Sequence, residues 1–313
     1  MKRKLITLLS TIVLASCSSE NAATRNLDIK ILAPTGAPSI GLYGFASEIE
    51  TTSSPADALM PFFTQDVYDV LVAPTQGGLT KIIKQQANYK IAATITFGNF
   101  YLLSTGKDDD GILNAHDTVV IFQENDIPGK VFNYLYGDKE LTVYAVPAAN
   151  NTGQIINSGV YKISETETVD IDYVYTAEPI VTNLGKTDKI YANIRDVYSE
   201  KTGGKKIMQA SVFVNNNSSK DKIDNFLSFL KSDVNKALSN PEFLRIGIES
   251  LGSEKEQEQV FGVKGSVAEA ATRNNNGLGL GYLSAFEYQD DIQYFMNVLN
   301  PNFGDIGEEV YYK

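Results

Sequence analysis

The sequence of 313 residues contains one histidine, His116, and one cysteine, Cys17. A lone histidine in a polar stretch before a strand reads as a surface residue, so Ser/His/Asp and Cys/His nucleophilic sets have no basis. No His/Cys metal cluster is expected either. A single cysteine makes no internal disulfide. Tryptophan is absent, so aromatic stacking falls to the 17 tyrosines and 15 phenylalanines. Past residue 17 the only arginines are Arg25, Arg195, Arg245 and Arg273. None lies in a loop expected to hold ligand, so a bidentate guanidinium clamp on an acid is not expected. No segment past the start reaches ~18 consecutive apolar residues, the length read as a membrane span. Positive charge is scarce as well. Without Lys2, Arg3 and Lys4, 24 basic residues face 38 acidic ones, a net charge of −14. Such a surface repels nucleic acid and anionic lipid headgroups.

The first seventeen residues are a different text. Lys2, Arg3 and Lys4 form a positive start, and Leu5 to Ala15 an apolar run broken only by Thr7, Ser10 and Thr11. The run is shorter than the ~20 residues a spanning helix needs. It reads as the core of a signal peptide. It ends in Leu14-Ala15-Ser16-Cys17, which resembles the lipobox of bacterial lipoproteins. That resemblance implies a diacylglycerol thioether on Cys17, which becomes the first mature residue. The alternative is a soluble secreted protein with an incidental cysteine at the cut. Residues 18–26 are small and polar and read as a flexible tether. The expected location is outside the cytoplasm, lipid-anchored to the bacterial cell membrane.

The remaining chain, about 295 residues, is long enough for two lobes. Leu27 to Leu32 alternates like a half-buried strand. It is followed by the turn cluster Ala33-Pro34-Thr35-Gly36-Ala37-Pro38 and a helix over Ser39 to Phe45, with Ser39 as cap. Val67 to Val72, Ala73 to Gly78 and Leu79 to Gln86 repeat the order strand, loop, helix. Strands follow at Tyr89 to Thr96, Phe100 to Ser104, Thr118 to Phe122, Leu141 to Val146, Ile171 to Tyr175, Lys189 to Asn193 and Met208 to Asn215. Helices are expected at Gly129 to Tyr136, Gly153 to Ser158, Lys220 to Ser239, Val267 to Arg273 and Ser284 to Val298, with a loop over Asn274 to Gly281. Alternation of strand and helix indicates α/β architecture with mainly parallel sheets. Asp108-Asp109-Asp110-Gly111 hints at calcium, but it lacks the alternating ligands and distal Glu of an EF-hand loop and reads as a solvated turn.

The chain resembles the periplasmic-binding-protein type 2 fold, and within it the group that binds nitrate, sulfonates, taurine and thiamine precursors for ABC importers. The resemblance runs from Leu27 to about Ser239. It is carried by Ala33 to Pro38, Asp69-Val70-Leu71-Val72-Ala73-Pro74-Thr75, Thr96-Phe97-Gly98-Asn99-Phe100-Tyr101-Leu102, Asp172 to Pro179, and Gln209-Ala210-Ser211-Val212-Phe213-Val214. It implies two lobes joined by two crossing strands, near Ser104 and near Gln209. One lobe would hold residues 27–104 and 208–313, the other 105–207. A small molecule would bind in the cleft of a monomer that docks on permease subunits, with no cofactor and no metal.

In open α/β sheets, ligands lie outside the carboxyl ends of strands, where helix starts present free N–H groups. Pro34, Thr35, Gly36 and Ala37, and Thr75, Gln76 and Gly77, meet that description, and Thr96 adds a neutral hydroxyl. Phe97 and Asn99 lie where the resemblance implies an aromatic and a polar contact. From the second lobe come Gln123, Asn125, Asn151, Thr152 and Glu178. The plainer readings are turn chemistry for the Gly/Pro loops, and a helix cap or a cross-hinge partner for Glu178. The expected function is solute binding without catalysis. The lead ligand is a thiamine-precursor-like heterocycle. A sulfonate or taurine binder, a sensor feeding a receptor kinase, and a surface interaction or adhesin lipoprotein are the alternatives. The family's pyrimidine synthases depend on histidine and cysteine-rich motifs that this chain lacks. No carboxylate pair stands out for glycoside hydrolysis.

Overall fold

The computed structural model describes residues 27–52, 56–107 and 111–313. Cys17, the tether at 18–26 and Asp108 to Asp110 lie outside the described residues.

Along the chain the first group is β1 (Ile31–Pro34), α1 (Ala37–Ile40), β2 (Ile49–Thr52), β3 (Val70–Pro74), α2 (Thr75–Ile83) and β4 (Tyr89–Thr96). The expected helix over Ser39 to Phe45 shrinks to the four-residue α1 and a 3-10 turn at Tyr43–Phe45. Ser39 lies inside α1, and Gly36 holds the cap position. Gly41 and Gly44 follow in quick succession, and glycine disfavours a continuing helix. The second group is β5 (Phe100–Ser104), β6 (Thr118–Phe122), α3 (Ile127–Tyr136), β7 (Thr142–Val146), α4 (Thr152–Ser158), the hairpin β8 (Val160–Lys162) and β9 (Thr168–Asp170), β10 (Tyr173–Ala177), α5 (Ile180–Asn183), β11 (Ile190–Asn193) and α6 (Ile194–Lys201). The tail is β12 (Ala210–Asn215), α7 (Lys220–Ser239), α8 (Glu242–Glu249), α9 (Glu254–Phe261), α10 (Gly265–Arg273), β13 (Leu280–Ser284) and α11 (Gln289–Leu299).

Two sheets result. The first is ordered β13-β4-β12-β3-β1-β2, the second β11-β5-β10-β6-β7. Each has a parallel core, β2-β1-β3 and β10-β6-β7. The sheets are more mixed than the expected mainly parallel ones: five of the nine pairings they show are antiparallel. The reason is directional. The parallel strands end at the lobe junction, so a chain entering a lobe from that junction must run the other way. β5 enters the second lobe and pairs antiparallel with β10. β12 returns to the first and pairs antiparallel with both β3 and β4.

This register also moves one boundary. Phe100–Ser104, expected with the first lobe, is a strand of the second sheet, so the first crossing is Phe97 to Asn99 and not near Ser104. The second crossing runs from the end of α6 through Gln209 into β12.

The central strand β12 is buried at all six positions, as the run Ala-Ser-Val-Phe-Val-Asn with its β-branched residues suits a strand covered on both faces. On one face, α7 buries Ile223, Phe226, Leu230, Val234 and Ala237 at helical spacing. Full burial of each large apolar side chain stabilises by about 1.5–3 kcal/mol. Pro241 then holds the cap position of α8 after Asn240 turns extended. On the other face, Leu32, Leu71, Leu79 and Phe213 belong to one apolar cluster that continues without a break into Phe100, Phe122, Tyr175 and Tyr198 of the second lobe.

Candidate functional site

The carboxyl ends of β3 and β4 meet the start of β12, and the carboxyl end of β10 meets the start of β5. The strand tips of the two lobes therefore converge on the two crossing segments, where the sequence places a ligand.

Several expected contacts serve the fold at this junction. Gly36 has φ 104°, a backbone conformation that glycine tolerates. Its N–H donates to the Phe261 carbonyl at 3.2 Å, so the end of α9 occupies the position expected for a ligand acceptor. The Thr35 N–H donates to Thr52 O at 3.1 Å, and Ala37 is buried in α1 behind the half-buried Pro34. The expected loop Ala73 to Gly78 is already helix from Thr75, with Pro74 as the residue before it. The Thr75 N–H donates to Gln209 O at 3.1 Å, and its hydroxyl pairs with Ser211 Oγ at 2.7 Å. Ser211 Oγ also lies 2.9 Å from Thr94 Oγ1. The glycines here answer to packing. A Cβ on Gly77 would sit 2.9 Å from Met60 Sδ, and one on Gly78 would sit 2.2 Å from Phe213 Cζ.

The first crossing is wholly buried from Thr96 to Asn99. The Thr96 hydroxyl is fully buried and has no hydrogen-bond partner among the described residues. Phe97 packs on Gly281, where a Cβ would come within 2.6 Å of its ring, and Phe97 N–H donates to Gly279 O at 2.8 Å. Asn99 Oδ1 accepts from Gln209 Nε2 at 3.0 Å, and Asn99 Nδ2 donates to the Glu178 carbonyl. Glu178 is 2 % exposed. Its carboxylate accepts from the Thr182 N–H at 2.9 Å and the Thr182 hydroxyl at 2.7 Å, which caps α5. Burial pushes the Glu178 carboxyl above its usual range, against the lowering effect of those two bonds. Tyr101 beside it is pushed up to about 12, by burial first and then by the Glu178 charge, with Arg195 opposing.

In the second lobe, Gln123 lies at the end of β6 with φ 49°. Asn125 and Asn151 are exposed. The Asn151 Oδ1 accepts the Ala148 N–H at 3.1 Å. Thr152 is buried, with its hydroxyl 2.6 Å from Thr176 Oγ1. The structure thus joins Asn99 with Glu178 and Gln76 with Lys130. It leaves Asn125 and Asn151 at the surface.

Lys130, Arg195 and Asn275 to Gly281 are not among the site residues read from sequence, and Gln209 is read there only as part of the second crossing. Lys130 Nζ, in the first turns of α3, donates to Gln76 Oε1 at 2.9 Å in the first turn of α2. This bond crosses from lobe to lobe. No carboxylate among the described residues lies within ion-pair distance of Lys130. Its place just after the β6 loop was the available signal. Lys130 also lines a cavity of about 560 Å³ with Phe132, Tyr134, Val143 and Leu299. Among the described residues no group of three or more His, Cys, Asp or Glu is placed to hold a metal ion. No described helix is long and apolar enough to cross a membrane.

No protein-family model matches the sequence, and no curated protein matches it. Solved structures do match. An ABC transporter structure from Parabacteroides distasonis is similar at TM-score 0.66 and 17% identity, over 88% of this chain and 92% of that one. The periplasmic aliphatic sulphonate binding protein SsuA from Escherichia coli is similar at TM-score 0.58 and 10% identity, over 91% and 92%. A conserved Candida albicans gene product, described as having the generic periplasmic binding protein fold, is similar at TM-score 0.52 and 12% identity, over 89% and 92%. The strand order, the two crossings and these three likenesses agree: the chain has the periplasmic-binding-protein fold.

Proposed function

We propose that the chain is an extracytoplasmic solute-binding protein that holds a small organic molecule between its lobes and presents it to ABC permease subunits. Its membrane attachment would be the lipid on Cys17, and it would act as a monomer without metal or cofactor. The observation that carries the reading is the convergence of strand tips and the starts of α2 and α3 on one junction, spanned by Gln76 and Lys130. Binding and not catalysis fits a junction of threonines, amides and one carboxylate engaged in a helix cap.

The lead ligand is a neutral or weakly basic heterocycle of the thiamine-precursor type, matched to the neutral polar groups of Thr35, Gln76 and Gln123. A second reading, a sulfonate, is favoured by Lys130, an ammonium that among the described residues is bonded to a neutral amide. A surface interaction protein is the reading that remains if no solute binds. Thermal-shift screening of the mature chain with thiamine precursors, sulfonates, nucleobases and flavins tests these. A ligand at ~100 times its Kd adds ~2.7 kcal/mol to the native state, which raises Tm by several degrees. No shift with any compound would replace the transport reading with the surface interaction one.

A further inference from the structure

Helix α11 follows β13 of the first sheet, yet it packs on the second lobe. Phe295 meets Tyr198 of α6 with ring centroids 6.1 Å apart. Ile292, Phe295 and Met296 are fully buried, in the same apolar cluster as Tyr136 of α3. The Tyr294 hydroxyl, with burial behind it, pushes Tyr134 of α3 up to about 12. The chain then goes home. Tyr311 bridges to Ile91 of β4, and the Tyr312 N–H donates to Ile91 O at 2.9 Å. The tail leaves the first lobe, grips the second and returns.

Two polar clasps fasten this arrangement. Lys205 on the second crossing meets Asp291 of α11 at 2.6 Å. Arg195 of α6 donates to the carbonyls of Asn276 and Asn275 at 2.9 and 2.8 Å, just past the end of α10. The planar fork of a guanidinium suits two neighbouring acceptors, and a lysine would not reproduce it. Asn275 and Asn276 both have left-handed backbone, φ 50° and 48°, which asparagine adopts more readily than most residues. The seam is not fully satisfied. Among the described residues the buried Tyr198 hydroxyl finds no hydrogen-bond partner, which costs the seam free energy.

We infer that the C-terminal tail is a strap, clasped at Arg195 and Asp291, that holds the two lobes near their present angle and limits how far they part. A hinge of two crossing segments opens when those two bend. Here the two links that carry α11 out and back must bend too, and the Arg195 clasp, which joins α6 to the segment past α10, must release, while Lys205 keeps α11 fastened to the second crossing. The strap operates whatever the ligand, so it goes beyond the solute-binding reading and does not depend on it.

Interspin distances test it. Cys17 is the only cysteine, so a Cys17→Ser chain takes spin labels only where cysteines are added, at exposed Lys236 of the first lobe and exposed Lys162 of the second. The ligand-free parent should give one narrow distance distribution. Arg195→Ala with Asp291→Asn should broaden it and move it several ångströms longer, with an unchanged circular dichroism spectrum. A parent distribution that is already broad, or a folded double variant that superimposes on the parent, overturns the strap. If the double variant does not fold, Arg195→Lys with Asp291→Asn decides by the same reading.

Discussion

Gln209 and Asn99, one on each crossing segment, are bonded to each other: Gln209 Nε2 donates to Asn99 Oδ1 at 3.0 Å, while Gln209 Oε1 accepts the Gly98 N–H at 3.2 Å. Asn99 extends the chain of bonds to Glu178, whose N–H donates to Asn99 O at 2.8 Å. The two crossing segments are thus cross-linked by side-chain amides.

Removing either amide leaves buried partners without a bond. Asn99→Ala should cost about 1–3 kcal/mol, the usual penalty for a buried polar group left unmade. Gln209→Ala should cost the lower part of that range. In urea denaturation the double variant should depart from the sum of the singles by about 0.5 kcal/mol or more. Strict additivity would mean the two amides act separately.

Glu178 gives a pH signature. Its folded pKa is raised above the ordinary value of 4.5, chiefly by burial. As pH rises past that ordinary value, the unfolded state releases its proton first. The folded state then binds more protons, so this group's contribution to stability falls until pH passes the folded pKa. Glu178→Gln removes the titration and keeps one oxygen for Thr182. The Tm of Glu178→Gln relative to the parent should rise from acidic to neutral pH. A difference that stays flat with pH would refute the burial assignment.

Two glycines should fail for different reasons. Gly78→Ala drives a methyl into the Phe213 ring and should cost about 1–3 kcal/mol by overpacking. Phe213→Leu in the same chain should recover part of that loss. Gly36→Ala meets no atom within 4 Å, but its φ is 104°. Its cost, about 1–3 kcal/mol, is backbone strain, and no neighbouring substitution should relieve it. Denaturant melts of the three variants separate the cases.

Lys130 divides packing from recognition. Its side chain is half-buried and bonded to a neutral amide, so Lys130→Ala should change ligand-free stability by less than about 1 kcal/mol. With a bound sulfonate, the same change should cut the ligand-induced Tm shift sharply. An equal shift in both proteins would place the anion elsewhere.

Sequence pattern was sufficient where one period ran undisturbed. Tyr89–Thr96, Phe100–Ser104, Thr118–Phe122 and Lys220–Ser239 appear with the expected bounds. It failed where short elements are fixed by what lies opposite them. Of β13, Leu280 and Gly281 lie in the segment expected as a loop with Gly279, and Ser284 in one expected as a helix. Gly279 and Gly281 are glycines because Gly98 and Phe97 leave no room for a side chain. β2, α8 and α9 were not among the expected elements. In the site, the threonines and amides were legible as polar groups at strand ends. Their partners were not, because Gln209 and Asn99 are 110 residues apart. Lipidation of Cys17 remains an expectation from the leader alone.

The apolar cluster that runs from Leu32 of β1 to Tyr198 of α6 crosses the lobe junction without interruption. Neither half can therefore shed its ordered state while the other keeps its own intact. Calorimetry on heating should record a single endotherm, whose measured enthalpy equals the van't Hoff value, in place of two resolved peaks.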